Sequence, residues 1–199
     1  MLLIADIHFG KAAAFRAQAI PVPHGTTAEN LAALDDLIAR HAIEHIVFLG
    51  DFLHAKTARS ASLLAALHAW RALHSALKLT LVRGNHDLHA GDPPRSLQID
   101  MVDEPYTIDG FSFCHHPDRP TTGYGLAGHV HPVYRLRTAS DTLRLPCFLV
   151  GPTRMILPSF GAFTGGFAVV PDIDEQIYVV ADEAIFSVPP MSLRERSRL

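Results

Sequence analysis

Short apolar runs alternate with segments of helical periodicity over the first 90 residues. Three runs have the length and composition of buried strands: 2–5, 46–49 and 77–82. Between them, leucines at helical spacing predict a helix from Thr26 to about His41 and another from Ser60 to Leu73. The apolar face of the second helix is predicted to contain Leu63, Leu64, Leu67, Trp70 and Leu73. Thr26 and Glu29 form a capping-box pattern, and Ser60 can cap the second helix. The order β-α-β-α-β predicts a parallel sheet with crossover helices.

After Asp87 the pattern changes to short strands, and no helix is predicted from 133 to 188. We predict strands at about 97–102, 105–108, 111–114, 124–127, 133–138, 143–150, 167–171 and 176–181. Asp109-Gly110 is a hairpin signal. The Ala-rich segment 12–25, which also contains prolines, is expected to form a loop over the sheet edge. We predict a single domain over 1–188 and a C-terminal tail over 189–199.

Composition excludes several classes of protein. With 199 residues, 48% of them hydrophobic and 19% charged, the chain is globular and long enough for a substantial core. A net charge of −3 argues against a wholly basic protein that coats nucleic acid. Cys114 and Cys147 form no zinc-type pair, so we expect reduced core cysteines. The apolar run 2–5 ahead of Asp6 is too short for the signal peptide of a secreted protein, and no apolar run reaches the ~18 residues that a membrane span needs. We therefore predict a cytoplasmic protein without membrane contact.

Five of the apolar runs lead into side chains that bind metals. In chain order the motifs are Asp6-x-His8, Gly50-Asp51, Gly84-Asn85-His86-Asp87, His115-x-Pro117 and Gly128-His129-x-His131. Each motif alone is common in proteins without metals, whereas the five in this order are specific. Oxygen and imidazole ligands suit Mn, Fe, Zn or Ni. Seven such side chains are too many for one ion, but they suit two ions about 3.5–4 Å apart that share a carboxylate. A glycine directly precedes a proposed ligand in three motifs, where the backbone is expected to turn sharply.

The five motifs together resemble the calcineurin-like metallophosphoesterase superfamily. The resemblance implies an α/β fold, a four-layer α/β/β/α sandwich with a dinuclear metal site at the strand ends. It implies the following ligands: Asp6, His8 and His131 for one ion, Asn85, His115 and His129 for the other, and Asp51 bridging both. His115 is preferred to the adjacent His116 because Pro117 fixes the register of the family's His-x-Pro pattern.

The resemblance also implies a mechanism. Two divalent ions lower the pKa of a bridging water, so that hydroxide can attack phosphorus in line with the leaving alkoxide. His86 matches a histidine that contacts the substrate phosphate and helps to protonate the leaving oxygen. Such acid catalysis contributes typically about 10²–10⁴-fold. The catalytic residues implied are therefore His86, Asp51 and, beside His86, His54.

Further stretches resemble one branch of this superfamily, the ligase-associated DNA damage response endonucleases called PdeM, over about residues 2–170. The stretches are 5–11, 21–25, 50–54, 114–117 and 158–166. This resemblance implies a Mn-dependent endonuclease that hydrolyses DNA in repair, associated with a ligase, a helicase and an exonuclease. Many superfamily phosphatases have Asp at the position of His54. A histidine at this position resembles the recombination nucleases of the superfamily. Members of the branch have residues ahead of the first motif, including strands, whereas this sequence starts at the motif. We therefore expect either that a strand at that sheet edge is missing or that the start of the sequence is set differently.

Two other hypotheses remain. The first alternative to the endonuclease is a phosphoesterase for small molecules, such as cyclic nucleotides or nucleotide esters. The second is a non-catalytic scaffold that keeps the fold. The intact set of seven ligands together with His86 argues against the scaffold. Lys11 and Arg83 are candidate contacts to substrate phosphate, and Asp87 is expected to orient a neighbouring ligand.

Overall fold

The structure, a computed structural model, describes residues 1–22, 25–137 and 141–189. The first of its two sheets is parallel throughout, in the order β1-β2-β3-β4. Its strands are β1 (Leu2–Ala5), β2 (His45–Leu49), β3 (Lys78–Val82) and β4 (Ile99–Val102). The α-helices are α1 (Lys11–Ala17), α2 (Thr26–His41), α3 (Ala61–Leu73) and α4 (Asn85–Ala90). Two turns of 3-10 helix lie at Lys56–Ala58 and Arg95–Leu97.

The second sheet is mixed and contains nine strands. Seven follow the order β11-β8-β9-β10-β7-β6-β5, while β12 pairs with both β9 and β13. The strands are β5 (Tyr106–Ile108), β6 (Phe111–Cys114), β7 (Tyr124–Ala127), β8 (Pro132–Arg137), β9 (Thr142–Val150), β10 (Arg154–Ile156), β11 (Phe167–Ala168), β12 (Gln176–Ala181) and β13 (Ala184–Ser187).

The residues of β2 are buried on both of its faces, which explains the unbroken apolar run in the sequence. Ile46 and Phe48 pack in the cluster that contains Leu34 of α2, on the helical side. Val47 and Leu49 pack in the cluster that joins the first sheet to the second. Because side chains alternate along a strand, one run of apolar residues supplies two cores.

The predicted α/β sandwich with two packed sheets is confirmed. The predicted helix from Thr26 to His41 is also confirmed. The hairpin at Asp109-Gly110 is confirmed as well, because Ile108 pairs with Phe111. In the part of the chain that the structure describes, every α-helix precedes Gly91, and α2 and α3 cover the first sheet.

Three local predictions are wrong. Residues 11–17 form α1 rather than a loop, because alanine has the highest helix propensity and two alanines of this helix are buried. Thr26 does not cap α2, since Gly25 occupies the N-cap position and no side chain accepts a bond there. Leu73, the last residue of α3, is 79% exposed and lies outside the apolar face.

Several further elements were not predicted or lie outside the described residues. The sequence pattern did not indicate α4, β10 or β13, which are all six residues or shorter. The strand expected at 167–171 is limited to Phe167–Ala168. Residue 138 of another predicted strand, and 190–199 of the predicted tail, lie outside the described part of the chain. The division into one domain and a tail stays a prediction.

Candidate metal centre

The five predicted motifs meet at one edge of the two packed sheets. Asp6, Asp51 and Asn85 follow β1, β2 and β3, which are parallel neighbours. His115 and His129 follow β6 and β7, which are also parallel to each other. The carboxyl ends of parallel strands lie on the same side of a sheet, where open α/β folds bind their ligands.

Five of the seven proposed ligands have a left-handed backbone conformation. This region costs a residue other than glycine about 1–3 kcal/mol and is found mainly at functional sites. The φ angles are 52° for Asp6, 47° for His8, 49° for Asp51, 71° for His129 and 50° for His131. The backbone therefore adopts strained conformations at the positions where the motifs deliver their side chains.

The first group of ligand atoms comes from Asp6, His8 and His131. The two Nε2 atoms of His8 and His131 lie 3.3 Å apart. His131 Nε2 is 3.6 Å from Asp6 Oδ1. These atoms converge closely enough to bind one ion together.

The second group comes from Asn85, His115 and His129. His115 Nε2 lies 2.8 Å from Asn85 Oδ1 and 3.0 Å from His129 Nδ1. The other ring nitrogen of His115, Nδ1, is 3.1 Å from the carbonyl oxygen of Leu49. An Nδ1–H that donates to this carbonyl leaves Nε2 unprotonated toward the site, which is the usual arrangement for a metal-binding histidine.

Asp51 lies between the two groups. Its Oδ2 is 3.6 Å from His8 Nε2 in the first group, and its Oδ1 is 3.5 Å from His115 Nε2 in the second. Asp51 is 2% exposed, and its Oδ1 also accepts a hydrogen bond from the backbone N–H of His86. One carboxylate thus offers an oxygen to each group, as a bridging ligand must.

The glycines beside these ligands have two different roles. Gly50 has a φ of 79°, and a Cβ there would lie 2.1 Å from His115 Nδ1. Gly84 has an ordinary negative φ of −97°, so its backbone does not need glycine's freedom. A Cβ at Gly84 would instead lie 2.4 Å from Asp51 Oδ1. The sequence-based expectation of a sharp turn holds at Gly50, whereas close approach to a carboxylate explains Gly84.

The donor atoms fit a pair of divalent ions. Asp6 is fully buried, yet its Oδ1 has no hydrogen-bond partner in the described part of the chain. Burial, with smaller contributions from Lys11 and the nearby histidines, lowers the pKa of His8 to about 2. His8 is therefore neutral, the state that binds metals, and its approach to Asp51 is not an ion pair. Buried carboxylate, amide and neutral imidazole donors are the ligand set that Mn, Fe, Zn or Ni prefers.

His86 and His54 stack at the open side of the two groups, with ring centroids 5.1 Å apart. His86 Nδ1 is 2.8 Å from the backbone carbonyl of His54, so a proton on Nδ1 is held there and Nε2 faces the site. His86 Nε2 lies 4.0 Å from Asp51 Oδ2. Burial, followed by the charges of Lys11 and His86, lowers the pKa of His54 to about 4.

Asp87 connects two of the ligand-bearing loops. Its carboxylate accepts hydrogen bonds from the backbone N–H groups of Gly84 (2.9 Å) and Phe52 (3.0 Å). Asp87 is 1% exposed, and burial raises its pKa to about 6. The carboxylate thereby fixes the loop after β2 against the loop after β3.

Glu104 is a residue of the site that sequence reasoning missed. Its carboxylate accepts from the backbone N–H groups of His115 (2.7 Å) and His116 (2.9 Å), and it contacts His116 Nδ1 at 2.7 Å. It also accepts a bond from Arg119. Glu104 therefore fixes the backbone at His115 and occupies the Nδ1 atom of His116, although the His116 ring also lies close to His115 and His129. No motif marks Glu104, because its partners lie more than ten residues away and meet it only in the folded chain.

The two predicted phosphate contacts differ. The Arg83 guanidinium pairs with Asp92, at 3.1 Å through two nitrogens, and with Asp103 at 2.9 Å, so it is committed to a structural cluster. Lys11 Nζ donates to the carbonyl of Thr164 at 2.8 Å. Lys11 also interacts electrostatically with Asp51 and lies beside the site.

Comparison with known proteins agrees with this geometry. A family model described as calcineurin-like phosphoesterase matches residues 1–146. This chain belongs to the calcineurin-like phosphoesterase family. Family membership and the clustered ligands make the protein a metal-dependent phosphoesterase.

Solved structures similar to this chain include a nuclease and a phosphoesterase. The nuclease MPE of Pseudomonas putida is 47% identical to this phosphoesterase, with a TM-score of 0.79, over 89% of this chain and 82% of that one. The phosphoesterase Yfce of E. coli aligns with 92% of this chain and 89% of its own at 13% identity and a TM-score of 0.44, which is too remote to inform the chemistry. No curated protein matches significantly. Among the described residues, no helix is both long and apolar enough to cross a bilayer.

Proposed function

We propose that this phosphoesterase is a DNA endonuclease of DNA repair that hydrolyses phosphodiester bonds with two divalent ions, most suitably Mn²⁺. One observation carries the proposal: the two oxygens of Asp51 reach the two groups of ligand atoms separately. The similarity to a protein described as a nuclease, at 47% identity, supports a polynucleotide substrate. A repair ligase, a helicase and an exonuclease are proposed partners, and the cytoplasm is the proposed location.

The proposed ligands follow the two groups of atoms. Asp6, His8 and His131 would hold one ion, Asn85, His115 and His129 would hold the other, and Asp51 would be shared by the two. When bound, the two ions lower the pKa of water and stabilise negative charge on the phosphoryl oxygens. The chain's own contribution is to fix the donor atoms in place, through Asp87 and Glu104, before any ion binds.

His86 is the proposed general acid. The carbonyl of His54 accepts from Nδ1 and so directs His86 Nε2 toward the reacting phosphate. From that position Nε2 can hydrogen-bond a phosphoryl oxygen and deliver a proton to the leaving oxygen. His54 stacks on His86 and limits the rotation of its ring. The role of His54 is thus to position His86.

A substrate panel with Mn²⁺-loaded enzyme tests the DNA substrate. The panel contains a chromogenic phosphomonoester, a chromogenic diester, cyclic nucleotides, and single- and double-stranded DNA. We expect nicking of DNA and hydrolysis of the chromogenic diester. Rapid hydrolysis of cyclic nucleotides without any DNA cleavage would contradict the proposal and favour a small-molecule phosphoesterase.

A further inference from the structure

A groove opens from the His86 side of the candidate metal centre and continues away from it. One wall is formed by His54, Lys56 and Thr57, and the other by Asn85, His86 and His89. Its volume is about 570 Å³. We call it the Lys56 groove. Because the groove shares Asn85 and His86 with the site, a substrate longer than one phosphodiester can extend from the metal centre into it.

The charge of the Lys56 groove suits a phosphate. Of the described residues that line it, none is acidic, although the whole chain carries a net charge of −3. Lys56 is exposed, and no described side chain forms an ion pair or a hydrogen bond with its ammonium group. An unpaired ammonium group at the edge of such a groove attracts anions without first breaking another contact.

The two neighbouring cavities do not offer this. The cavity on the His116 side, of about 140 Å³, contains Asp118, and its Arg119 is already bonded to Glu104. Its second arginine, Arg154, donates to the carbonyl of Pro117. The cavity on the His131 side, of about 260 Å³, is lined by no lysine, arginine or acidic side chain among the described residues.

Both walls of the Lys56 groove are held in place before a substrate binds. The Arg59 guanidinium, just after the Lys56–Ala58 turn, donates to the carbonyls of Gly91 and Asp92 at the end of α4. Asp87 joins the start of α4 to the loop after β2. A preformed groove loses less conformational entropy when a ligand binds than a mobile one does.

We propose that the Lys56 groove binds the nucleotide next to the scissile phosphodiester and that Lys56 contacts the outer phosphate of that nucleotide. This inference rests on the proposed function. It adds an explanation of how the site selects a polynucleotide over a small diester. A small diester has no second phosphate and therefore cannot gain from Lys56. A strand of DNA gains one ion pair, and its binding becomes correspondingly more dependent on salt.

Lys56→Gln in the Mn²⁺-loaded enzyme tests this inference. The two substrates are a single-stranded oligonucleotide and bis(p-nitrophenyl) phosphate. The readout is the kcat/KM for the oligonucleotide divided by the kcat/KM for bis(p-nitrophenyl) phosphate. We expect the ratio to fall about fivefold at low salt, mostly through KM for the oligonucleotide. The plot of log kcat/KM for the oligonucleotide against log salt has a negative slope, which should become shallower by about 0.7, the share of one phosphate contact on a single strand. Lys56→Arg should restore the ratio.

The matched control is Lys78→Gln, an exposed lysine that begins β3 at the opposite end of the first sheet. It should leave the ratio and the slope unchanged. An unchanged ratio in Lys56→Gln, or an equal change in Lys78→Gln, would overturn the role of the groove while DNA cleavage itself stands. If the wild-type enzyme hydrolyses only the small diester, the proposed DNA substrate is wrong, and the groove assignment fails with it.

Discussion

At the scale of single residues, the site depends on side chains in conformations that their own backbone disfavours. Asp6, His8 and Asp51 all have positive φ, and a backbone group of each is hydrogen-bonded to a residue distant in the chain. The backbone N–H of His8, for example, donates to the carbonyl of Asp51 at 2.9 Å. Strained residues persist only when the surrounding structure fixes them. Substitutions here are therefore expected to change metal binding before they change the fold.

Asp51→Asn is expected to abolish phosphodiester hydrolysis and to lower the metal content of the purified protein. An amide offers one oxygen, so it can serve only one of the two groups that the carboxylate reaches. Metal content by mass spectrometry and hydrolysis of a chromogenic diester measure the effect. Asp100→Asn, an exposed carboxylate on β4, is the control. Full metal content with retained activity in Asp51→Asn would refute the bridging role.

His86→Ala is expected to retain both ions and to slow hydrolysis selectively. Loss of a general acid should cost about 10²–10⁴-fold with a poor leaving group. It should cost much less with p-nitrophenolate, which needs no proton to leave. Rates for a series of diesters with different leaving groups, at equal metal content, measure this. Equal slowing across the series would argue against an acid role and for a phosphate contact alone.

At the scale of elements, the site is built from loops that follow strands, and its precision depends on bonds between those loops. Asp87 bonds the loop after β2 to the loop after β3. Glu104 bonds the residues that follow β6. Elsewhere, helix ends are stabilised locally, as where Ser60 Oγ accepts from the Leu63 N–H at 3.2 Å.

Asp87→Asn is expected to weaken Mn²⁺ binding by about 10–100-fold, the usual cost of losing a group that orients ligands. The new amide N–H₂ must face a backbone N–H, either of Gly84 or of Phe52, and cannot accept from it. Calorimetric titration with Mn²⁺ gives the affinity. Asp36→Asn on the exposed face of α2 is the control, and equal affinities in the two variants would contradict the orienting role.

Ser60→Ala is expected to lower the free energy of unfolding by about 1 kcal/mol, the typical value of an N-cap side chain. The Leu63 N–H loses its acceptor, while the apolar face of α3 is unchanged. Urea unfolding measures the difference. Ser75→Ala, an exposed serine beyond the end of α3, should have no comparable effect. A loss of similar size in both variants would show that the Ser60 bond contributes nothing specific.

At the scale of the whole molecule, the candidate metal centre joins the two sheets at one edge. Asp6 and Asp51 come from the first sheet, and His115 and His129 come from the second. The same two sheets also share the apolar cluster between them. Ions bound at this edge add a second connection between the sheets, so metal binding and folding stability should be coupled.

Mn²⁺ is expected to raise the Tm of the protein, and EDTA to lower it. At 100 times Kd, a ligand specific to the folded state adds about 2.7 kcal/mol. For a chain of this length that corresponds to a rise of about 5–10 °C. Thermal melts at increasing Mn²⁺ concentration measure it. The Asp51→Asn variant should show a much smaller rise, and an identical rise would place the stabilising ion elsewhere.

The sequence by itself determined the two longest helices, most of the strands, the seven candidate ligands and the family. Buried strands produce unbroken apolar runs, and the residues that follow them lie at a sheet edge, so the motifs could be read in order. Family membership rested on the same motifs and on the family match over residues 1–146.

Only the tertiary structure decided which atoms face each other. The separate reach of the two Asp51 oxygens and the commitment of Arg83 to Asp92 and Asp103 depend on how the loops pack against each other. The same packing leaves the Lys56 ammonium without an ion-pair partner among the described side chains. Glu104 had no local signal at all, because its role consists of bonds to backbone groups in the loop after β6. Periodicity records which face of an element is buried, whereas distances between side chains follow from how the elements pack.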